Sequence, residues 1–183
     1  HDDIISTWAG LRPLLRSDQK FSYRASREHA VVVDPSGVLT VCGGKLTTCR
    51  KMGMDVVDSF LEHQDREFRV NIRRCATHEV PLVGGEGLAS FEDLEALIDN
   101  IASTHGLSPE RAEHFARTYG TRAVDIINTE MDRDGAMDEL VPGLPFAVGE
   151  VDVAVNRLFA RRTSDVLIRR LPVFFHAPDQ GLT

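Results

Sequence analysis

Val38-Leu-Thr-Val-Cys-Gly-Gly-Lys-Leu-Thr-Thr-Cys-Arg-Lys51 changes its period in the middle. Up to Cys42 the residues are mostly apolar or β-branched, as a short strand requires. Beyond Thr47, Met52, Val56 and Phe60 recur every four residues, as one face of a helix requires. Gly43 and Gly44 mark the junction. Upstream, Asp34-Pro-Ser-Gly37 puts Asp first, Pro second and Gly fourth, the order a type I turn favours. Residues 30–33 and 38–42 are therefore predicted to pair as a β-hairpin. Residues 3–8 lead into Gly10 and read as another short strand. A helix is predicted over 47–63, with Thr47 or Thr48 as N-cap, because a hydroxyl there can accept from the first free backbone N–H groups.

Beyond this point the pattern is helical. Residues 64–87 are polar and then rich in Pro and Gly, and read as a connection. Ser90, with Asp93 three residues on, forms a variant capping box for a helix whose stripe is Leu94, Leu97, Ile98 and Ile101. Ser108-Pro109 is an N-cap followed by Pro at the first helical position, and that helix is predicted to end at Gly120. A short helix is predicted over 121–128. A long one is predicted over 149–170, where Arg161, Asp165 and Arg169 are spaced for a charge ladder. The expected fold class is mixed α and β, with a hairpin region over 1–63, a linker over 64–87 and a helical domain over 88–183.

The chain has 183 residues, of which 42% are hydrophobic and 27% charged, an ordinary globular composition. The formal net charge of −7 argues against nonspecific nucleic-acid binding, which needs an excess of cations on one face. No apolar run is long enough for a transmembrane helix. Cys42, Cys49 and Cys75 are odd in number and show no Cys-x-x-Cys spacing, so reduced thiols are expected and no metal site. The chain opens on His1 without Met or a secretory leader, and a piece of a longer protein is the expectation.

Two features point to chemistry. Arg12 lies in Gly-Leu-Arg-Pro-Leu, where Pro13 holds the preceding backbone extended, and a guanidinium so presented can grip a phosphate or carboxylate in two places. A structural salt bridge is the alternative. Arg24 and Arg27 could add cations to the same site, or belong to a solvated loop. His29 could act as acid or base, or could be merely packed. The second feature is Gly43-Gly-Lys-Leu-Thr47. Two glycines let backbone approach a ligand, the helix N-terminus directs N–H groups at that spot, and Lys45 adds a full charge. Leu46 separates Lys45 from Thr47 and the upstream Gly is missing, which excludes a P-loop. Arg73-Arg74, Arg161-Arg162 and Arg169-Arg170 could touch anionic lipid or a partner, or simply form solvated faces.

Read together, the chain resembles the C-terminal part of FAD-dependent, aerobic, quinone-linked glycerol-3-phosphate dehydrogenases. The matching runs are Ala9-Gly-Leu-Arg-Pro-Leu14, Ser26-Arg-Glu-His29, Asp34-Pro-Ser-Gly37, Gly43-Gly-Lys-Leu-Thr-Thr-Cys-Arg-Lys-Met52 and Ala116-Arg-Thr-Tyr-Gly120, together with the helix that closes on Leu-Ile-Arg-Arg170. Cys49 departs from the Tyr common in relatives. The resemblance implies that 1–63 is the end of an FAD- and substrate-binding domain and 88–183 a helical cap domain.

The resemblance also implies roles. Arg12 and Arg27 would hold the phosphate of glycerol 3-phosphate, while Gly43, Gly44, Lys45, Leu46 and Thr47 would face the FAD ring. The product would be dihydroxyacetone phosphate, with electrons passed to quinone. No Gly-x-Gly-x-x-Gly occurs, and the catalytic base is expected upstream of this chain, so the fragment itself is expected to be inactive. A cytoplasmic protein, peripheral at the inner face of the cell membrane, and a homodimer are the implied location and assembly. An α-glycerophosphate oxidase, with oxygen as acceptor, and a non-enzymatic helical interaction module stay open as alternatives.

Overall fold

The turn at Asp34 holds the only extended sheet among the described residues. The structure, a computed structural model, describes residues 4–11 and 28–181. Asp34 Oδ1 accepts from Ser36 N at 2.7 Å and also from the Ser36 hydroxyl, while Gly37 N donates to Asp34 O at 2.9 Å. These local bonds preset the reversal, so β1 (His29–Val33) and β2 (Leu39–Gly43) pair antiparallel, with Val31 opposite Val41 and His29 opposite Gly43. A 3-10 turn (Leu46–Thr48) leads directly into α1 (Cys49–Glu62), and α2 (Arg66–Arg69) follows.

The chain divides into two units: Ala9–Val80, and His1–Trp8 together with Pro81–Thr183. No described residue from 28 to 80 is buried. Val32, Val41, Val57 and Phe68 are all exposed on this unit. A two-stranded sheet with one helix on it is marginal in water, because too little apolar area leaves solvent.

The second unit carries the core. Ser90 and Asp93 cap α3 (Phe91–His105) reciprocally, with Asp93 N 3.2 Å from Ser90 Oγ and Ser90 N 2.8 Å from Asp93 Oδ2. Gly106, at φ 65°, ends it. Ser108 caps α4 (Pro109–Tyr119), which stops at Gly120. A 3-10 turn (Gly120–Arg122) leads into α5 (Ala123–Glu130). Ile101, Ala112, Phe115, Ala123 and Val153 lie at the centre of the first apolar cluster. Phe146, Ala154, Ala160, Leu171 and Val173 form a second. The adjacent residues Val153 and Ala154 of α6 (Glu150–Asn156) feed one cluster each, so α6 joins the two.

Two sequence expectations are corrected. Residues 4–8 form no strand; Ser6 Oγ instead donates to the Phe175 carbonyl at 2.9 Å. The predicted helix over 149–170 is broken. After α6, Phe159 adopts φ 58°, a left-handed conformation costly for a bulky residue, and Ala160 N turns back to Ala154 O at 2.9 Å. Asp165 Oδ2 accepts from both Arg161 N and Arg162 N at 3.0 Å, and a π-helical turn (Asp165–Arg170) follows, then α7 (Val173–His176). A carboxylate that competes for backbone N–H groups interrupts helical propagation. Of the predicted charge ladder, Asp165–Arg169 forms at 2.9 Å, while Arg161 joins only through its backbone.

Candidate functional site

The Gly43–Thr47 segment forms one continuous corner between strand and helix. Gly43 and Gly44 both sit at φ 79°, a region other residues avoid, and Gly44 N donates to Glu28 O at 3.1 Å, prolonging the ladder by one bond. A Cβ on Gly44 would lie 2.5 Å from Met52 Sδ and 3.3 Å from His29 Cβ, but the Met52 side chain can swing aside, so it is the left-handed backbone that calls for glycine. Lys45, Leu46 and Thr47 are exposed, Leu46 at 89%. Thr48 Oγ1 donates to Lys45 O at 3.0 Å and accepts from Lys45 N at 3.1 Å, locking the first turn. The predicted cap hydroxyl thus reaches backward. Helix geometry leaves the N–H groups of Leu46 and Thr47 without an intrahelical acceptor. They form, with the Lys45 ammonium on the preceding residue, a solvent-facing donor site suited to negative charge.

Beside this corner lies a charged triad not anticipated as a unit. His29 Nε2 is 2.9 Å from Asp55 Oδ2, and Lys51 donates to the other carboxylate oxygen. The Lys51 ammonium, with His29 second, holds the Asp55 carboxyl below the ordinary carboxylate range. His29 pairs with Gly43 across the hairpin, so its bond to Asp55 ties the strand beside the glycine pair to α1. The signal was present as Lys51 and Asp55 four residues apart on a helix, but the partner on β1 is 26 residues away.

Arg12, Arg24 and Arg27 lie outside the described residues. Arg73 and Arg74 line a cleft of about 830 Å³ between α1 and the following segment, together with Arg50, Arg69, Asp58 and Cys75. The Thr77 hydroxyl, with the Arg50 charge behind it, lowers the Cys75 thiol below its usual value.

The second unit holds a different cluster. Glu150 is fully buried, yet its carboxylate accepts from three groups: His114 Nε2 at 2.8 and 3.0 Å, Tyr119 OH at 2.8 Å and Ala147 N at 2.7 Å. Burial first, then the Glu150 charge, pushes the Tyr119 phenol far above its usual value. The His114 ring packs edge-on against Phe146 with centroids 5.0 Å apart. The arrangement satisfies a buried charge and ties α4 to α6. No local pattern marks His114, because its partner Glu150 lies 36 residues further along the chain.

The family described as the C-terminal domain of alpha-glycerophosphate oxidase matches residues 75–183. The chain belongs to this family. It is also similar over nearly all its length to whole enzymes. The aerobic glycerol-3-phosphate dehydrogenase of Staphylococcus saprophyticus is 32% identical over 185 residues, covering 99% of this chain and 32% of the relative. The glycerol-3-phosphate dehydrogenase of Mycobacterium leprae is 29% identical over 182 residues, covering all of this chain and 30% of the relative. Glycerol-3-phosphate dehydrogenase 2 of Mycobacterium tuberculosis strain H37Rv is 28% identical, with the same coverage. The chain spans about a third of the length of these relatives. It is similar to their C-terminal part.

The alpha-glycerophosphate oxidase family match contains the Glu150 cluster and excludes the Gly43–Thr47 corner, which the whole-length relatives cover. The corner fits one edge of a flavin. An isoalloxazine edge that gains negative charge needs N–H donors and a cation, and Lys45, Leu46 and Thr47 present both. The pyrophosphate end of FAD needs a Gly-x-Gly-x-x-Gly turn, which this sequence does not contain.

Proposed function

We propose that this chain is the C-terminal part of a flavin-dependent glycerol-3-phosphate dehydrogenase that oxidises sn-glycerol 3-phosphate to dihydroxyacetone phosphate and passes the electrons to quinone. The observation that carries the reading is the Gly43–Thr47 corner: an exposed cation and unpaired N–H groups at a helix start, joined to a hairpin by two left-handed glycines. FAD supplies the two-electron acceptor. The chain's own groups hold and polarise: the N–H groups of Leu46 and Thr47 and the Lys45 ammonium stabilise negative charge at the ring edge. His29, bonded to Asp55, anchors the strand that pairs with Gly43 to α1. Arg12 and Arg27 grip the substrate phosphate. The proton-accepting base and the rest of the FAD site belong to sequence upstream.

On this reading residues 1–63 are the end of the FAD and substrate domain, 64–87 a connection and 88–183 the helical domain. The unburied hairpin unit supports it, since its exposed strands suit a larger sheet. The parent protein is cytoplasmic, homodimeric and peripheral at the inner membrane face. The test uses the full-length protein and the isolated chain. The full-length protein reduces a quinone analogue with glycerol 3-phosphate and not with glycerol, and the isolated chain with added FAD does not. Reduction that ignores the phosphate would overturn the reading. The family's oxidase description favours one second reading, oxygen as acceptor, in which each turnover of the full-length protein releases one hydrogen peroxide.

A further inference from the structure

The C-terminal unit is acid-rich, yet its cations are unevenly placed. Residues 81–183 contain nine Arg against seventeen Asp and Glu, and five of those Arg fall between 157 and 170, where Asp165 is the sole acid. Three of the five are engaged. Arg157 pairs with Asp125 at 3.0 Å and Glu130 at 2.8 Å, Arg169 pairs with Asp165 at 2.9 Å, and Arg170 Nε donates to Leu158 O at 2.8 Å. The side chains of Arg161 and Arg162 make no ion pair among the described residues, and both line the same cleft.

That cleft has a volume of about 510 Å³ and an apolar lining from Val151, Val155, Ala160, Val166 and Leu167. Its walls are α6 and the π-helical turn Asp165–Arg170, and its rim includes Thr163. Asp165, the first residue of that turn and not part of the lining, accepts from two backbone N–H groups and from Arg169, and the Arg162 guanidinium charge acts on it without a direct bond. Two further features are concentrated there. A π-helical turn is uncommon and recurs at functional sites. Phe159, left-handed and 77% exposed, is the residue directly before the cleft-lining Ala160.

We propose that this cleft binds a small amphipathic monoanion of the fatty-acid type, with its alkyl chain on Val151, Val155, Val166 and Leu167 and its carboxylate on Arg161 and Arg162. The volume lies within the range of ordinary small-ligand sites, and an apolar cleft whose lining includes two arginines is complementary to such a molecule and not to a neutral alcohol or a free inorganic anion. The site is independent of the proposed redox activity.

Isothermal titration of the 183-residue chain with sodium decanoate below its micelle concentration tests it. One saturable site per chain is expected, with 1-decanol and sodium acetate each at least about tenfold weaker. R161Q/R162Q and, separately, Val155→Asp should each weaken decanoate by about tenfold or more, while Arg122→Gln, on the exposed end of another element, should not. Far-UV circular dichroism checks that the variants fold. Absence of saturable decanoate binding, equal affinity for decanol, or unchanged affinity in R161Q/R162Q would each overturn the proposal. So would binding to vesicles of anionic phospholipid without binding to monomeric decanoate, which would make the patch a membrane surface.

Discussion

His114 Nε2 lies 2.8 Å from an oxygen of Glu150, a carboxylate with no exposure to solvent. The pair joins α4 to the first residue of α6, and Tyr119 and Ala147 supply the remaining donors. A charge taken out of water is tolerated when it is fully hydrogen-bonded, and truncating its acceptor strands every donor at once.

Glu150→Ala should therefore lower unfolding free energy by about 3 kcal/mol or more, because one buried and two partly buried donors lose their partner. Glu150→Gln keeps the volume and one acceptor oxygen and should lose less. Urea denaturation of both variants measures this. Midpoints equal to the parent's would show that the cluster contributes nothing.

Tyr119 should resist alkaline titration. Its folded value is raised above the usual 10.0 by burial and the Glu150 charge. The stability it contributes is fully present below the unfolded value and is lost as pH rises toward the folded one, since only the unfolded phenol ionises in that window. Absorbance at the phenolate band in a Tyr23→Phe background should show no titration while the chain stays folded. A normal titration there would refute the buried contact.

Gly120 and Gly106 both sit at positive φ, but only one is crowded. A Cβ on Gly120 would collide with the Gly84 carbonyl oxygen, whereas one on Gly106 meets nothing within 4 Å. Gly106→Ala should cost about 1 kcal/mol for conformation alone. Gly120→Ala should cost about 4 kcal/mol, since backbone must move as well. Thermal unfolding of the two variants side by side gives the ranking, and equal losses would contradict it.

In the full-length protein, Arg12→Ala should raise KM for glycerol 3-phosphate by roughly thirtyfold, the equivalent of about 2 kcal/mol for a lost bidentate contact. Lys45→Met should instead lower kcat and make the bound flavin harder to reduce, because its charge acts where negative charge develops. An unchanged KM in the first variant, or an unchanged reduction potential in the second, removes that residue from the proposed site.

Much of the architecture was legible because it is local. The Asp34-Pro-Ser-Gly37 turn, the Ser90–Asp93 box, Ser108-Pro109 and the stop at Gly120 all act within a few residues, and the structure places each where expected. The Gly43–Thr47 corner was also readable, as two glycines followed by a helical period. What local pattern could not supply was the break at Phe159, where an apolar stripe continues through a chain that turns away. Residues 4–8 have the composition of a strand, but a strand also requires a neighbour to pair with.

Sequence alone determined the class, the hairpin, the capped helices and the family resemblance, since caps, turns and periodicity are interactions between neighbours in the chain. Tertiary structure decided the pairing of His29 with Asp55 and the burial of Glu150 between His114 and Tyr119. It also decided that Arg161 and Arg162, alone among five clustered arginines, belong to the lining of an apolar cleft. Such contacts join residues far apart in sequence, and whether a charge is satisfied, stranded or available depends on what folding brings within 3 Å of it.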